Sequence, residues 1–225
     1  GLPLGVRAGL RPKSGFDHAA RVVSTLGVSL PTFFTGLLLV YVFYYQLSWL
    51  PAPMGRLPPF ADSPERITGM FTLDSLLAGN LDLFLESLRY LLLPALTLGI
   101  FALAPIARMT RASMLGVLSS DYIRTARASR LPTWKVLAVY ALGNALLPIV
   151  TMLGMVFSFL LGANVLVEKV FSWPGLGSFA LEALMISDYA AVQGFVLAMG
   201  ICYVLLNFSI DVAYGYIDPR VRVES

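Results

Sequence analysis

Four long stretches of the chain contain no charged residue. They cover residues 22–55, 90–107, 136–167 and 189–210, and apolar side chains dominate each of them. A helix needs about 20 apolar residues to cross the roughly 30 Å hydrocarbon core of a membrane. The second stretch is close to that minimum, and the others exceed it. The pattern predicts four membrane-spanning helices, at about 26–46, 90–107, 142–166 and 191–212.

The composition supports the same interpretation. Of the 225 residues, 57% are hydrophobic and 13% are charged, whereas soluble proteins carry about 25% charged residues. Only helices and closed barrels satisfy the backbone in lipid, and the alternating pattern of barrel strands is absent from this sequence. We therefore predict an all-α polytopic helix bundle that forms a single transmembrane domain over residues 1–225. The apolar start, which runs from Gly1 into Arg7, resembles the end of another helix, so we expect a further span upstream.

The basic residues are distributed unevenly between the two sides of the predicted membrane. With a cytoplasmic N-terminus, the cytoplasmic segments hold twelve Lys and Arg residues and the external segments hold four. Short cytoplasmic loops carry this excess in membrane proteins, so both termini are predicted to be cytoplasmic. The same asymmetry explains the basic character of the chain, and we predict membrane lipid rather than nucleic acid as its surroundings.

The sequence offers little for catalysis. It contains one histidine, His18, and one cysteine, Cys202, which cannot supply a disulfide framework or a thiol metal site. A membrane-embedded enzyme would need clustered His, Asp, Glu or Cys side chains facing one cavity. No G-x-x-x-x-G-K-[ST] phosphate loop occurs, so this chain is not an ATPase. We predict neither a metal site nor enzymatic activity.

A basic segment at 119–135 lies between the second and third predicted spans. A serine can cap a helix there with Asp121 in its first turn, where an acidic residue suits the helix dipole. Three arginines then follow at intervals of three and form a cationic ridge: Arg124, Arg127 and Arg130. Pro132 ends this helix, and Thr133 caps the next one. A short helix joined to two spans is well placed to transmit a push, although the arginines can also serve only to enforce topology.

Leucines recur at helical spacing in the external segment 72–89. This spacing predicts one amphipathic helix, lying on the outer surface or covering the mouth of the bundle.

Several motifs along the chain resemble those of one family. The sequence DYIRTARA at 121–128 resembles the coupling-helix signature of ABC importer permeases, in the dipeptide, oligopeptide and nickel branch. Further matches to that branch follow in the expected order: SLPTF at 29–33, WLP at 49–51, LPALTL at 93–98, ARMTRASM at 107–114, NALLP at 144–148, EKVFSWPGLG at 168–177 and DPR at 218–220. Together they cover essentially the whole chain.

The resemblance implies a type I ABC importer permease fold in a bacterial cytoplasmic (inner) membrane. Such a chain is the transmembrane subunit of an ATP-driven importer that passes peptides or similar small solutes by alternating access. The implied partners are two ATP-binding subunits on the cytoplasmic side, an external solute-binding protein and a second permease subunit, for which the branch favours a paralogue. ATP and Mg²⁺ are expected on the partner subunits, with no cofactor on this chain.

The resemblance also implies two sets of site residues. The contacts that couple the permease to the ATPases are Asp121, Tyr122, Arg124, Thr125, Ala126, Arg127 and Arg130. An external gate or turn is formed by Trp173, Pro174, Gly175 and Gly177. Arg130 departs from the branch, which usually has a glycine at this point, where it permits a left-handed turn or a close backbone approach.

Two other functions stay open. A secondary transporter driven by an ion gradient needs ionisable groups at mid-membrane depth or broken helices that meet there. The predicted spans offer only Asp211, which we place at the inner edge of the last span, where its side chain reaches water at little cost. A structural scaffold is also compatible with the spans, but it leaves the basic segment without a role.

Overall fold

The computed structural model describes residues 1–58 and 60–217, apart from the side chain of Ala163, and regular secondary structure within these ranges is helical throughout. The all-α prediction is therefore confirmed. The α-helices are α1 (Leu2–Leu10), α2 (Gly15–Ser29), α3 (Thr32–Val40), α4 (Phe71–Leu77), α5 (Leu81–Leu118), α6 (Asp121–Ala128), α7 (Thr133–Lys135), α8 (Gly143–Val170), α9 (Leu176–Met185) and α10 (Tyr189–Ile217). Two π-helical segments, Tyr41–Gln46 and Val136–Leu142, follow α3 and α7. The DPR motif at 218–220 lies outside the described residues.

Among the described residues, three helical stretches are long and apolar enough to cross a membrane: Leu81–Leu118, Thr133–Gly162 and Tyr189–Ile217. The second, third and fourth predicted spans lie within these stretches or overlap them. A fourth crossing exists only if Gly15–Ser29 and Thr32–Gln46 are counted as one broken span. Pro31 stands at that break. The helix is interrupted there because proline lacks an N–H and disfavours helical geometry in the preceding residue.

Two compact units make up the chain, and α5, α8 and α10 contribute residues to both. The first unit comprises Gly1–Ser29, Phe101–Leu160 and the described part of the chain from Ala198. Its core is a cluster of buried apolar side chains from α5, α6, the second π-helical segment and α8: Met114, Ile123, Ala126, Val136, Ala141, Ala145 and Ile149. Full burial of one large aliphatic side chain contributes about 1.5–3 kcal/mol, so this cluster is a major source of the unit's stability.

The second unit comprises Leu30–Ile100 and Leu161–Leu197. Its core centres on three buried side chains, Leu93, Val167 and Phe171. Partly buried residues from α3 and the π-helical segment after it, including Val40 and Phe43, pack against this core.

The segment 72–89, predicted to be external, is two helices rather than the single amphipathic helix that the leucine spacing predicted. Helix α4 ends at Leu77, and Gly79 takes a φ of +69°. The N–H of Asn80 then bonds the carbonyl of Ser75 at 3.0 Å, while the Asn80 side-chain oxygen accepts a bond from the Leu83 N–H at 3.0 Å. Glycine adopts the left-handed conformation without steric cost and asparagine is a favoured N-cap, so these two residues end α4 and begin α5.

A buried ion pair connects α2 to α5 in the first unit. The Asp17 carboxylate is fully buried and accepts bonds from Arg111 Nε at 2.6 Å and Nη2 at 2.8 Å. The backbone N–H of Lys13 donates a third bond at 3.0 Å. The Arg111 hydrogen bonds are the main cause that lowers the pKa of Asp17 to about 2, from an ordinary value of 3.8. This two-bond geometry holds the start of α2 against the predicted cytoplasmic end of α5.

The Asp17–Arg111 pair predicts a loss of stability in acid. Because the folded-state pKa lies below the ordinary value, the stabilisation is complete above about pH 4 and disappears as the pH falls towards 2. Thermal unfolding of the purified protein in detergent, followed from pH 6 to pH 2, should show a falling Tm over this window. Asp17→Asn should lower the Tm at neutral pH and weaken its dependence on acid. An Asp17→Asn protein with the wild-type pH profile would contradict this assignment.

Candidate functional site

Helix α6, which contains most of the predicted coupling contacts, has one buried side and one exposed side. Ile123 is 0% exposed and Ala126 is 6% exposed, and both belong to the core of the first unit. Their spacing of three residues places them on the same side of the helix. The remaining predicted contacts in α6 are exposed: Asp121, Tyr122, Arg124, Thr125 and Arg127. The structure therefore assigns the predicted contacts two different positions, with Ala126 in the core and the others at the surface.

The exposed side of α6 is positively charged. Arg124 Nη1 lies 3.5 Å from Asp121 Oδ1, but both side chains are largely exposed, at 76% and 95%. An ion pair of this kind contributes about 0–1 kcal/mol, so Arg124 remains available to a partner. Arg127, in the last turn, forms no ion pair within the described part of the chain, and its charge is favourable at a helix C-terminus.

Two helix caps differ from the sequence prediction. Ser120 occupies the N-cap position of α6, but its hydroxyl donates to the Val117 carbonyl at 2.5 Å rather than capping the helix. Thr133 is the first residue of α7, and Pro132 precedes it at the N-cap position. Neither helix therefore begins with a side-chain cap.

Arg130 occupies the position after α6 that most often belongs to glycine. Its φ is +54°, in the left-handed region. The Arg130 N–H bonds the Arg127 carbonyl at 3.0 Å, and the Leu131 N–H bonds the Ala126 carbonyl at 3.4 Å. This pair of bonds is the Schellman motif, which satisfies the last carbonyls of a helix and needs one left-handed residue. Leu131 completes the motif by packing against the core cluster.

The predicted external turn surrounds a buried carboxylate in the second unit. Glu168 is 5% exposed, and its Oε1 accepts a bond from Asn164 Nδ2 at 2.6 Å. Its Oε2 accepts a bond from the backbone N–H of Ser178, in the first turn of α9, at 2.7 Å. A Cβ added at Gly175 would overlap this carboxylate, and one at Gly177 would lie 2.7 Å from Val165 Cα. The two glycines thus let the turn approach α8 closely enough for Glu168 to cap α9.

Arg56 holds the other side of the same turn. Its Nη2 donates to the Pro174 carbonyl at 2.5 Å, and its guanidinium lies over the rings of Phe71 and Trp173, at 5.4 and 5.8 Å. The Gly55 N–H also bonds the Phe171 carbonyl at 3.0 Å. Contacts of this kind fix the position of Trp173, since a cation over an aromatic face is favourable in any partly buried setting.

Comparison with known proteins decides the family. The family described as binding-protein-dependent transport system inner membrane component matches residues 1–223. The chain belongs to this family. The resemblance drawn from the sequence motifs is therefore confirmed, while the coupling contacts and the external turn stay predictions.

Curated relatives of this permease carry names that refer to peptides. The chain is 43% identical over 221 residues to "Probable D,D-dipeptide transport system permease protein DdpB" of Escherichia coli (strain K12), covering 98% of this chain and 65% of that protein. It is 44% identical over 222 residues to "Di/tripeptide transport system permease protein DppB" of Pseudomonas aeruginosa (strain UCBPP-PA14), covering 99% and 66%. It is 41% identical over 225 residues to "Dipeptide transport system permease protein DppB" of Escherichia coli (strain K12), again covering 99% and 66%. The permease chain thus spans 65–66% of the length of these relatives.

Sequence reasoning missed the residues that hold the predicted external turn. Glu168 begins the motif at 168–177, but it was not among the predicted site residues, and Arg56 was counted only as an external charge. A charged residue that begins a glycine-containing turn motif was the available signal for Glu168. No signal in the sequence pairs Arg56 with Pro174, because 118 positions separate them. Within the described residues, no group of three or more His, Cys, Asp or Glu side chains could hold a metal ion.

The left-handed conformation of Arg130 predicts that a glycine at position 130 makes the folded protein more stable. Arg130→Gly should raise the free energy of unfolding by about 0.5–1 kcal/mol, because it removes a Cβ from a left-handed residue. Arg130→Ala is the matched control, since it removes the charge but keeps the Cβ. Chemical unfolding of both variants in detergent tests this expectation. Equal stabilisation by both variants would assign the effect to charge and contradict the backbone explanation.

The packing of the external turn predicts that Gly175 tolerates no side chain. Gly175→Ala places a Cβ about 2.6 Å from Glu168 Oε2, and such overpacking typically costs about 1–3 kcal/mol. Gly162→Ala is the control, because an added Cβ meets nothing within 4 Å at that position. The measurement is the Tm of each purified variant. If Gly162→Ala lowers the Tm as much as Gly175→Ala does, the close approach to Glu168 is not the cause.

Proposed function

We propose that this permease is the transmembrane subunit of an ATP-driven importer that passes peptides or similar small solutes across the cytoplasmic membrane. Its family membership supports the importer function, and the printed names of its relatives support peptides as the solutes. In this proposal two separate ATP-binding subunits, which hold ATP and Mg²⁺, drive alternating access. A second permease subunit, favoured as a paralogue, and an external solute-binding protein complete the assembly.

The observation that carries this proposal is the anchoring of α6. Ile123 and Ala126 pack in one cluster with Met114 near the end of α5 and with Ala145 and Ile149 near the start of α8. Close-packed interiors have low compressibility and transmit displacement, so a force on α6 reaches both helices. Both of these helices are apolar enough to cross a membrane. A short helix held in this way converts movement of a cytoplasmic partner into movement of two spans.

The exposed side of α6 is the proposed contact surface for the ATPases. Tyr122, Arg124 and Arg127 offer an aromatic ring and two guanidinium groups, which are the residue types that contribute most to interface affinity. Ala126 is buried in the core of the first unit and anchors the helix that carries this surface. Arg130 continues the positive surface beyond the end of α6.

On the external side, we propose that the turn of Trp173, Pro174, Gly175 and Gly177 faces the solute-binding protein or gates the path. The buried Glu168 and the partly buried Arg56 hold the turn in one conformation, and a docking partner benefits from a surface that is already ordered. This orientation follows the excess of basic residues on the proposed cytoplasmic side, where the C-terminus would also lie.

Charge reversal on α6 tests the coupling proposal. Arg124→Glu and Arg127→Glu should each lower solute-stimulated ATP hydrolysis by the assembled transporter about tenfold or more, because they place repulsion in the contact surface. Membrane insertion should not change, and thermal stability should fall only slightly, since both side chains are exposed and what each loses is a weak surface interaction, with Asp121 for Arg124 and with the helix dipole for Arg127. The assay is ATPase activity in proteoliposomes with the solute-binding protein and peptide present.

Arg11→Glu is the matched control for these variants. Arg11 is an exposed arginine of the same unit, in the predicted cytoplasmic segment before α2, and it should retain wild-type stimulation. Unchanged stimulation in both α6 variants would show that the arginines serve only topology. Equal losses in all three variants would point to a general effect of cytoplasmic charge.

A further inference from the structure

A polar groove runs between α8 and α10 within the first unit. Its volume is about 350 Å³, which falls in the range of about 300–1,000 Å³ that is typical of small-molecule pockets. Six polar residues line it: Thr151, Ser158, Tyr203, Asn207, Asp211 and Tyr214. On each helix their spacing is close to three, four or seven residues, so they form one polar side per helix.

Asp211 is the charged residue in this groove, and the structure leaves its carboxyl group unpaired. The Tyr214 hydroxyl donates to Thr151 Oγ1 at 2.8 Å, and Asn207 Nδ2 donates to the Tyr203 carbonyl at 2.9 Å. The exposed carboxyl group of Asp211 forms no hydrogen bond or ion pair with any residue between 1 and 217 that the structure describes. The hydroxyl groups of Ser158 and Tyr203 likewise form no hydrogen bond in the described chain, so they and the carboxyl group are free to meet a ligand.

The packing places the residue before Asp211 directly against α8. A Cβ added at Gly154 would overlap the side chain of Ile210, so α10 near residue 210 lies against Gly154. Asp211 is the next residue, at the inner edge of the predicted span 191–212, so the groove lies towards the predicted cytoplasmic end of α10. A carboxyl group at such an edge reaches water at little cost, and its charge is available to a ligand that enters the groove.

We propose that this groove binds the ammonium group of a peptide during its passage, with Asp211 as the counter-charge. The inference rests on the importer function proposed above, and it adds the chemical group that the path recognises. Asp211 is the single acidic residue in the lining, and the lining contains no basic residue, so the groove favours cations over anions. The Tyr203 and Tyr214 rings can add cation–π attraction, and the hydroxyl and amide groups of the lining can accept the remaining ammonium hydrogens.

Cysteine labelling in the assembled transporter tests the groove without relying on ATP hydrolysis. Asn207→Cys, one helical turn from Asp211, is introduced together with Cys202→Ser. The reagents are a trimethylammonium-ethyl methanethiosulfonate and the corresponding sulfonate-ethyl compound. The cationic reagent should react about tenfold faster than the anionic one, because the carboxyl group concentrates positive charge nearby. Adding Asp211→Asn should bring the ratio close to one, and adding Asp211→Glu should keep it high.

Native Cys202 supplies the accessibility control. It lies nine residues before Asp211, which at about 3.6 residues per turn places it on the opposite side of α10. In the otherwise native chain it should react slowly with both reagents. Equal reaction rates for the two reagents at position 207, or a ratio that survives Asp211→Asn, would overturn the proposal. A cysteine at 207 that reacts in the isolated chain but not in the assembled transporter would assign the groove to subunit contact instead.

A second arm identifies the ligand group. Millimolar L-alanyl-L-alanine should slow the reaction at position 207, because its ammonium group occupies the site, whereas N-acetyl-L-alanyl-L-alanine should not. Protection by both compounds, or by neither, would overturn the ammonium assignment. These outcomes are separate from the α6 experiment: intact coupling with no protection refutes the groove alone, and charge-selective labelling with no coupling refutes the importer mechanism alone.

Discussion

Ile123 is completely buried, although it belongs to a helix of eight residues whose other side chains are mostly polar or charged. A helix this short is not stable alone in water, because forming the first turn costs more than its few hydrogen bonds return. Its stability must come from tertiary packing, and Ile123 and Ala126 are the only side chains of α6 that are buried. The position of α6 is thus fixed by the same contacts that join α5 to α8. Because α6 depends on these contacts for its stability, it cannot move independently of α5 and α8.

The carboxylates that the structure describes differ in their burial and in the hydrogen bonds they accept. Asp17 and Glu168 are buried with both side-chain oxygens hydrogen-bonded, the first by Arg111 and the second by an amide and a helix N-terminus. Asp74 is also buried, and the Thr68 hydroxyl bond is the main cause that holds its pKa below the usual value. These three groups tie segments together, and the cost of burying them is offset by several short bonds each. Asp211 has no such bonds, as is also true of exposed carboxylates such as Glu65 and Glu86, and it differs from those in lying within a polar groove.

Much of the architecture could be predicted from the sequence, because a helix that crosses a membrane requires an uninterrupted run of apolar residues. Charge-free runs marked the long helices, and the motif at 121–128 gave the limits of α6. The glycine departure at Arg130 correctly drew attention to a left-handed turn. Each of these signals depends on residues that are close in the sequence, where helical geometry determines which side chains are neighbours.

The features that the sequence did not predict include contacts between residues that are far apart in the chain. The Asp17–Arg111 pair and the Arg56–Pro174 bond join residues 94 and 118 positions apart, and periodicity carries no information about such partners. The break at Gly79 was missed because the leucine spacing continued across it, although a glycine followed by an asparagine was a usable stop signal.

The Schellman turn at Arg130 also bears on how this surface can diverge. A left-handed backbone penalises nearly every residue that has a Cβ by a similar amount, and asparagine and aspartate are the partial exceptions. Exchange of arginine for lysine, glutamine or glutamate at position 130 therefore leaves the backbone term almost unchanged. Substitutions at position 130 can therefore change the charge next to α6 with little change in the free energy of folding. If α6 contacts an ATPase as we propose, position 130 is a place where the charge of that contact surface can change without rebuilding the helix beside it.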